Sequence, residues 1–275
     1  MCVMGKFNDK RVLITGGASG IGRIMGAMAL KRGAAALVIW DINQANIKDT
    51  LAELSKEGKV AGYRVDISDE QQVIEAAKIV KKEVGDIDIL INCAGIITSN
   101  KTFDKCTSDE IHRTMNINTI APMVVTMQFL PDMIARNSGH ICNISSAGGL
   151  ISNPRMSVYA ASKWAVIGWS DSVRIELQQM KSRVKVTTIA PYYIKTGMFN
   201  GVKSPIVPLM KLEYAARQTI RAIERGDTVK VLTKLIPIPY HFVRLMQGIL
   251  PIKAFDWIFG QVFGIYHSMD NFTGR

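Results

Sequence analysis

Residues Arg11 to Gly22 read "RVLITGGASGIG". An aliphatic, partly β-branched run leads straight into a turn holding Gly16, Gly17, Gly20 and Gly22. A short apolar run closed by glycines reads as a buried strand. From about Ser19 to Arg32 the apolar residues then recur on one face of a helix. Glycines at such a turn permit positive φ and let the backbone approach an anion, whose charge meets the N-terminus of the helix. The spacing is Gly-x-x-x-Gly-x-Gly with no Gly-Lys-Ser/Thr after it, which excludes a P-loop NTPase. On this stretch alone, a tight strand–helix connection without a ligand stays open.

The same alternation continues outward. "AALVIWD", "VAGYRVD", "IDILINCAG", "GHICNISS" and "VKVTTIAP" read as strands, and "TVKVL" near Val231 as a candidate seventh. Between them lie the helical runs "NQANIKDTLAELSKEG" and "DEQQVIEAAKIVKKEVG", a long one from about Asp109 to Arg136, and another from Tyr159 to about Met180. No repeat or linker interrupts the chain. The expectation is a single α/β domain, a doubly wound, parallel seven-stranded Rossmann-type sheet with helices on both faces. Ligands of such sheets sit at the carboxyl ends of the strands, where the strand order reverses.

Asp41 ends the second strand, nineteen residues beyond Gly22. A carboxylate there accepts hydrogen bonds from both adenosine ribose hydroxyls and repels a 2′-phosphate, which favours NAD over NADP. Its alternative role is an N-cap for the next helix. Asp66, ending the third strand, suits an adenine amino group or a cap.

Composition narrows the classes. The chain has 275 residues, 48% hydrophobic and 21% charged, enough for one large core. Cys2, Cys93, Cys106 and Cys142 show neither paired nor metal-ligand spacing, which reads as reduced thiols in a cytoplasmic protein. The four histidines form no zinc pattern, and no metal is expected. "MCVMGKFNDK" lacks the apolar stretch of a signal peptide. The net charge of +11 reads either as a basic soluble surface or as attraction to an anionic one. Nucleic acid is disfavoured, because the basic residues are dispersed and no binding motif accompanies them.

In "SVYAASKWAV", Ser157–Val166, Tyr159 and Lys163 stand four apart and so share one helix face. A phenol titrates near about 10, and a neighbouring cation favours its ionised form, as would the charge of an oxidised nicotinamide. Tyr-x-x-x-Lys alone is a weak motif. Around it, in order, stand "TGGASGIG", "NCAG" (Asn92–Gly95), "MNIN" (Met115–Asn118), "NISS" (Asn143–Ser146), "YAASK" (Tyr159–Lys163) and "PYYIKT" (Pro191–Thr196). Together these resemble the short-chain dehydrogenase/reductase family over most of the chain.

The resemblance implies an NAD-dependent enzyme acting on CH–OH groups, with a catalytic set of Asn118, Ser146, Tyr159 and Lys163. Tyr159 would be the general acid/base. Lys163 would bind the nicotinamide ribose and lower the tyrosine pKa, Ser146 would hydrogen-bond the substrate oxygen, and Asn118 would hold a water linking Lys163 to solvent. Asn116 and Ser145 are the fallbacks for Asn118 and Ser146. The cofactor would be held by Gly16, Ala18, Ser19, Gly20, Ile21, Gly22, Asp41, Ile42, Asp66, Ile67, Tyr159, Lys163, Pro191, Tyr192 and Ile194. Asn92 would brace the strand beneath it, Ala94 and Gly95 would line its floor, and Thr196 would meet the carboxamide. Residues 1–140 would mainly serve the cofactor, 141–230 catalysis and substrate, and 231–275 would form an apolar helical extension. Tyr192 departs from the family's usual Pro-Gly and adds bulk at the substrate mouth. The long helices Asp109–Arg136 and Tyr159–Met180 imply a homodimer or homotetramer.

The substrate expected is a hydrophobic secondary alcohol or ketone, steroid or bile-acid-like first. A retinol dehydrogenase or a 3-ketosphinganine-type reductase is the alternative within enzymes, and a catalytically silent dinucleotide-binding scaffold the alternative outside them. In the extension, Phe242, Leu245, Met246 and Ile249 share one helix face, as do Phe255, Ile258, Phe259 and Val262. Arg244, Lys253, Asp256, Pro237, Pro239 and Pro251 interrupt the run, which rules out a spanning helix. These stripes are read as core or subunit interface, or as helices lying in a membrane surface on its cytoplasmic side.

Overall fold

Apolar and amphipathic runs alternate along the chain, and each becomes a strand or a helix. In order these are β1 (Arg11–Thr15), α1 (Gly20–Leu30), β2 (Ala36–Asp41), α2 (Gln44–Leu54), β3 (Val60–Arg64), α3 (Glu70–Glu83) and β4 (Ile89–Asn92). Then come α4 (Ser108–Met115), α5 (Ala121–Ala135), β5 (His140–Ile144), α6 (Ser157–Gln179), β6 (Lys185–Pro191), α7 (Leu212–Arg225) and β7 (Val229–Leu232). The extension forms α8 (Tyr240–Ile249) and α9 (Ile252–Asp256). This computed structural model describes residues 6–98, 100–204, 207–232 and 240–274. Cys2, Pro237 and Pro239 and the side chains of Arg244 and Phe259 lie outside the described residues.

All seven strands are parallel, in the order β3-β2-β1-β4-β5-β6-β7. The order reverses between β1 and β4, which opens the ligand crevice of a doubly wound sheet there. Register brings the strand ends level: Thr15 pairs with Trp40 on one side and Asn92 on the other, and Asn92 with Asn143.

Both faces of the sheet are covered, so strands read as continuous apolar runs. Along β1, Val12 and Ile14 join the layer holding α1 and α7, while Leu13 joins the layer holding α3 and α5. In the second layer Phe129 packs on Trp40 with ring centroids 5.9 Å apart. Truncating such a buried aromatic costs about 3–5 kcal/mol.

Two details position the site. Asn43 caps α2 by accepting from Asn46 N, and Asp69 caps α3 by accepting from Gln72 N. Asp41 and Asp66 are therefore not the caps of those helices. Between α4 and α5 the helix does not break but widens into a π-type turn, Asn116–Ile120, where the Ala121 N–H reaches the Asn116 carbonyl. Such wide turns concentrate at functional sites.

The extension splits its two apolar stripes. Phe255 is buried. The α8 stripe faces outward instead, with Leu245 56% and Ile249 67% exposed. Among the described residues no helix is long and apolar enough to cross a membrane.

Candidate active site

A cavity of about 610 Å³ opens along the carboxyl edge of the sheet, across the β1/β4 switch point. All of the sequence-predicted residues border it except Ala18, Asn92 and Asn118, which brace it from behind.

At one end the β1–α1 turn forms a cradle. Gly16 has φ +65°, and a Cβ there would lie 2.9 Å from the Ala94 Cα. A Cβ on Gly22 would collide with the Gly16 carbonyl. The turn is therefore closed on its protein side by glycine alone, with the N-terminus of α1 facing the cavity. Asp41 is oriented by the backbone: Ala18 N donates to Oδ2 at 3.1 Å and Asn43 N to Oδ1 at 3.0 Å. Asp66 accepts from the backbone N–H and hydroxyl of Ser68 at 2.9 and 2.6 Å.

The floor is built from β4. The Thr15 hydroxyl accepts from Cys93 N and Ala94 N at 3.0 and 3.3 Å, folding the exit of β4 across the end of β1. Asn92 donates to Thr126 Oγ1 and Asn143 Oδ1, locking β4 to α5 and β5. Cys93 borders the cavity, and burial pushes its thiol up to about 12, so it stays neutral and unreactive.

The other end carries the titratable pair. Tyr159 (7% exposed) and Lys163 (5%) stand in the first two turns of α6, with Lys163 Nζ 5.8 Å from the Tyr159 ring centroid. That amine donates to the Ile144 carbonyl at 3.0 Å. Ser145 and Ser146 separate by their partners. Ser145 Oγ donates to the Lys163 carbonyl at 2.8 Å, a backbone tie. Ser146 Oγ accepts from Gly148 N at 3.1 Å and stands on the Tyr159 side, since a Cβ on Gly148 would lie 3.5 Å from that oxygen and 3.7 Å from the Tyr159 ring. The asparagines separate likewise. Asn116 donates to the Ser68 carbonyl at 3.1 Å, away from Tyr159. Asn118 instead grips Ile96 and donates to Ser162 Oγ at 3.1 Å. Its Oδ1 and the Lys163 amine would flank a Cβ on Gly95 at 3.2 and 3.4 Å.

Burial raises the Tyr159 phenol to about 12, with the Ser146 hydroxyl pulling the other way. Burial also brings Lys163 down to about 8, and its amine points to a backbone carbonyl rather than the phenol. Desolvation is the largest influence on both groups.

Several site residues carry no motif. Tyr193, buried beside Tyr192, stacks edge-on against it at 4.8 Å and against Phe199 at 5.3 Å. Its hydroxyl meets Ser268 Oγ at 2.9 Å and accepts from Asn153 Nδ2 at 2.5 Å. The substrate end is thus walled by the β6–α7 loop and latched by residues near the C-terminus. Only Thr15 had a readable signal, a hydroxyl at a strand end in register with Asn92.

The cavity passes a test for a nicotinamide dinucleotide on its own atoms. The cradle leaves no room for side chains, an acidic group waits beyond it, and the Thr196 hydroxyl is buried without a hydrogen-bond partner. A carboxamide would satisfy that orphan.

A glycine cradle at a switch point, joined by one cavity to a buried Tyr–Lys pair, defines a nucleotide-dependent oxidoreductase of CH–OH groups. The family model described as short chain dehydrogenase matches residues 10–206, and the chain belongs to that family. It is 38% identical over 270 residues to mouse (Mus musculus) epidermal retinol dehydrogenase 2, covering 96% of this chain and 85% of the relative. It is 35% identical over 270 residues to zebrafish (Danio rerio) retinol dehydrogenase 10-B, covering 88% and 78%. A Burkholderia phymatum short-chain dehydrogenase solved in complex with NAD superimposes with a TM-score of 0.79 at 24% identity, over 89% of this chain and 95% of that one. An NAD+-bound xylitol dehydrogenase gives 0.75 at 21%, over 83% and 99%. At these identities the two structures speak for the fold.

Proposed function

We propose that this chain is an NAD(H)-dependent oxidoreductase interconverting a hydrophobic alcohol and its carbonyl product, with retinoid-type alcohols first. The observation that carries the reading is Ser146, Tyr159 and Lys163 lining one cavity whose far end is the glycine cradle. When bound, a nicotinamide dinucleotide supplies the acceptor for the hydride leaving the carbinol carbon.

The chain's own residues handle the proton and the charge. Ser146 donates to the substrate oxygen as negative charge develops on it. Tyr159 takes the hydroxyl proton in oxidation and returns it in reduction. Lys163 would hold the ribose and, when protonated, favour the phenolate. Gly16, Gly20 and Gly22 would take the pyrophosphate, Asp41 the adenosine ribose, and Thr196 the carboxamide. Asp41 is what favours NAD over NADP, because a 2′-phosphate would meet its charge.

The order of substrates departs from the steroid-first expectation. The aromatic wall of Tyr192, Tyr193 and Phe199 suits an extended polyene as well as fused rings, and the retinoid-first order is supported by the names of the two relatives, both retinol dehydrogenases. The exposed α8 stripe with the net charge of +11 supports a peripheral seat on an anionic lipid surface. Exposed Met127 and Ile175, on α5 and α6, support self-association through those helices.

The test offers NAD+ and NADP+ with retinol, a hydroxysteroid and a sphingoid-type lipid, following reduced cofactor by absorbance. NAD-dependent oxidation of retinol is expected, with Tyr159→Phe losing about 10²–10⁴-fold in rate while still binding NAD+. No turnover of any lipid alcohol, or near-normal turnover by Tyr159→Phe, would sink the reading.

A further inference from the structure

Beneath the extension lies a second cavity, about 370 Å³ in volume. Ile151 and Ser152 from the β5–α6 loop, Trp164 from α6, Gln247 from α8, and Phe255 and Tyr266 enclose it. It neighbours the active-site cavity at two places. Ile151 borders both volumes, and Ile265 and Tyr266, adjacent in sequence, border one each. The two volumes therefore meet at Ile151 and at the Ile265–Tyr266 step.

We infer that this second cavity receives the distal end of a long apolar alcohol whose hydroxyl lies between Ser146 and Tyr159. The inference rests on the lipid-alcohol reading above and extends it. Capacity is the first argument. A cavity of ~300–1,000 Å³ holds one drug-sized ligand. The 610 Å³ of the main cavity has to take a whole dinucleotide and the reacting end of the substrate. A long chain needs room beyond it, and the adjoining space is across Ile151.

Construction is the second argument. A Cβ on Gly260 would run into the Tyr266 ring, so that ring packs against the backbone of the π-type turn Trp257–Val262 that follows α9. Asp256 also lines the cavity beside Tyr266, so the wall there carries one charged group among Ile151, Trp164, Ile252 and Phe255. The Gln247 amide donates to the Leu150 carbonyl, fastening α8 to the loop that carries Ile151. Ile252 lines the cavity and is itself exposed, and Ile249 and Trp257, its near neighbours in sequence, are exposed too. An apolar chain is thus met by apolar surface from the outside inward.

The test compares two allylic alcohols with the same reacting end, prenol and geranylgeraniol. Ser152→Trp places bulk in the second cavity from an exposed loop position, and Trp164→Ala enlarges it. Ser152→Trp is expected to lower kcat/KM for geranylgeraniol by ~10-fold or more, since even one methylene is worth ~10-fold in a tight apolar pocket, and to leave prenol unchanged. Trp164→Ala is expected to leave prenol unchanged and to shift only the long alcohol. Equal effects on both alcohols, or none on either, overturn the inference. Calorimetric binding of geranylgeraniol to the same proteins reads the cavity without turnover. Binding weakened ~10-fold by Ser152→Trp in an enzyme that oxidises neither alcohol would overturn the proposed reaction and support the cavity, and unchanged binding would overturn the cavity.

Discussion

Asn118 holds the backbone of Ile96 from both sides: its Nδ2 donates to the Ile96 carbonyl at 2.9 Å, and its Oδ1 accepts from the Ile96 N–H at 2.8 Å. The side-chain amide mimics a strand partner and pins the β4 exit beside Lys163. Asn118→Asp keeps the acceptor and replaces the donor with an oxygen facing a carbonyl, in a fully buried place. The expected cost is roughly 2–3 kcal/mol of stability, read by urea denaturation, with a lower kcat. Unchanged stability would show that the clasp is idle.

The two raised and lowered pKa values make the pH dependence directional. Oxidation needs Tyr159 unprotonated, and burial places that proton at about 12, so the oxidation rate should climb with pH from neutral upward while reduction falls. A flat oxidation profile between neutral and alkaline pH counts against Tyr159 as the base. Lys163 titrates near 8 in the fold, below its unfolded value of about 10.4. In that window the unfolded chain binds more protons, so stability rises with pH through it, and the burial penalty is complete below it. Lys163→Met should remove the slope and stabilise the protein at neutral pH, by on the order of 1 kcal/mol after the lost hydrogen bond to Ile144, while abolishing most activity.

Asp41→Ser removes the charge at the cradle's far side and keeps a hydrogen-bonding group. The ratio of kcat/KM with NADP+ to that with NAD+ should rise about 10-fold or more, since a like charge no longer faces the 2′-phosphate. Arg64, whose Nε donates to the Ile42 carbonyl next to Asp41, stands ready to meet that phosphate. A ratio that does not move assigns the cofactor choice to other residues.

On the extension, Leu245→Glu with Ile249→Glu should abolish flotation with vesicles of anionic phospholipid and leave prenol oxidation intact. Both side chains are more than half exposed, so the pair should fold. Flotation equal to that of the unmutated chain would detach the α8 stripe from lipid binding.

The fold was legible because parallel strands buried on both faces spell themselves as apolar runs, and "RVLITGG", "AALVIWD" and "IDILINCAG" need no partner to be recognised. The cradle was legible for a similar reason: Gly16 is demanded by its own positive φ and Gly22 by the Gly16 carbonyl, both inside one turn. Choices between neighbours were not. Asn116 and Asn118 differ by where a π-type turn aims them, and Ser145 and Ser146 by which way a strand end faces, and neither leaves a local pattern. Longer-range partners left less still. Nothing near Tyr193 announces that its hydroxyl will meet Asn153 and Ser268. Periodicity also tells which α8 residues share a face without telling what covers it.

The latch on the substrate wall sets a timetable. Ser268 ties Tyr193, Asn100 donates to the Met269 carbonyl, and Thr273 N–H bonds the Asn200 carbonyl, so the wall beside Tyr193 is closed by residues far along the chain from those they meet. Residues as early as Asn100 wait for partners some 170 positions later. A nascent chain can therefore complete the glycine cradle near its start well before the Tyr193 wall, whose partners lie some 170 positions beyond Asn100.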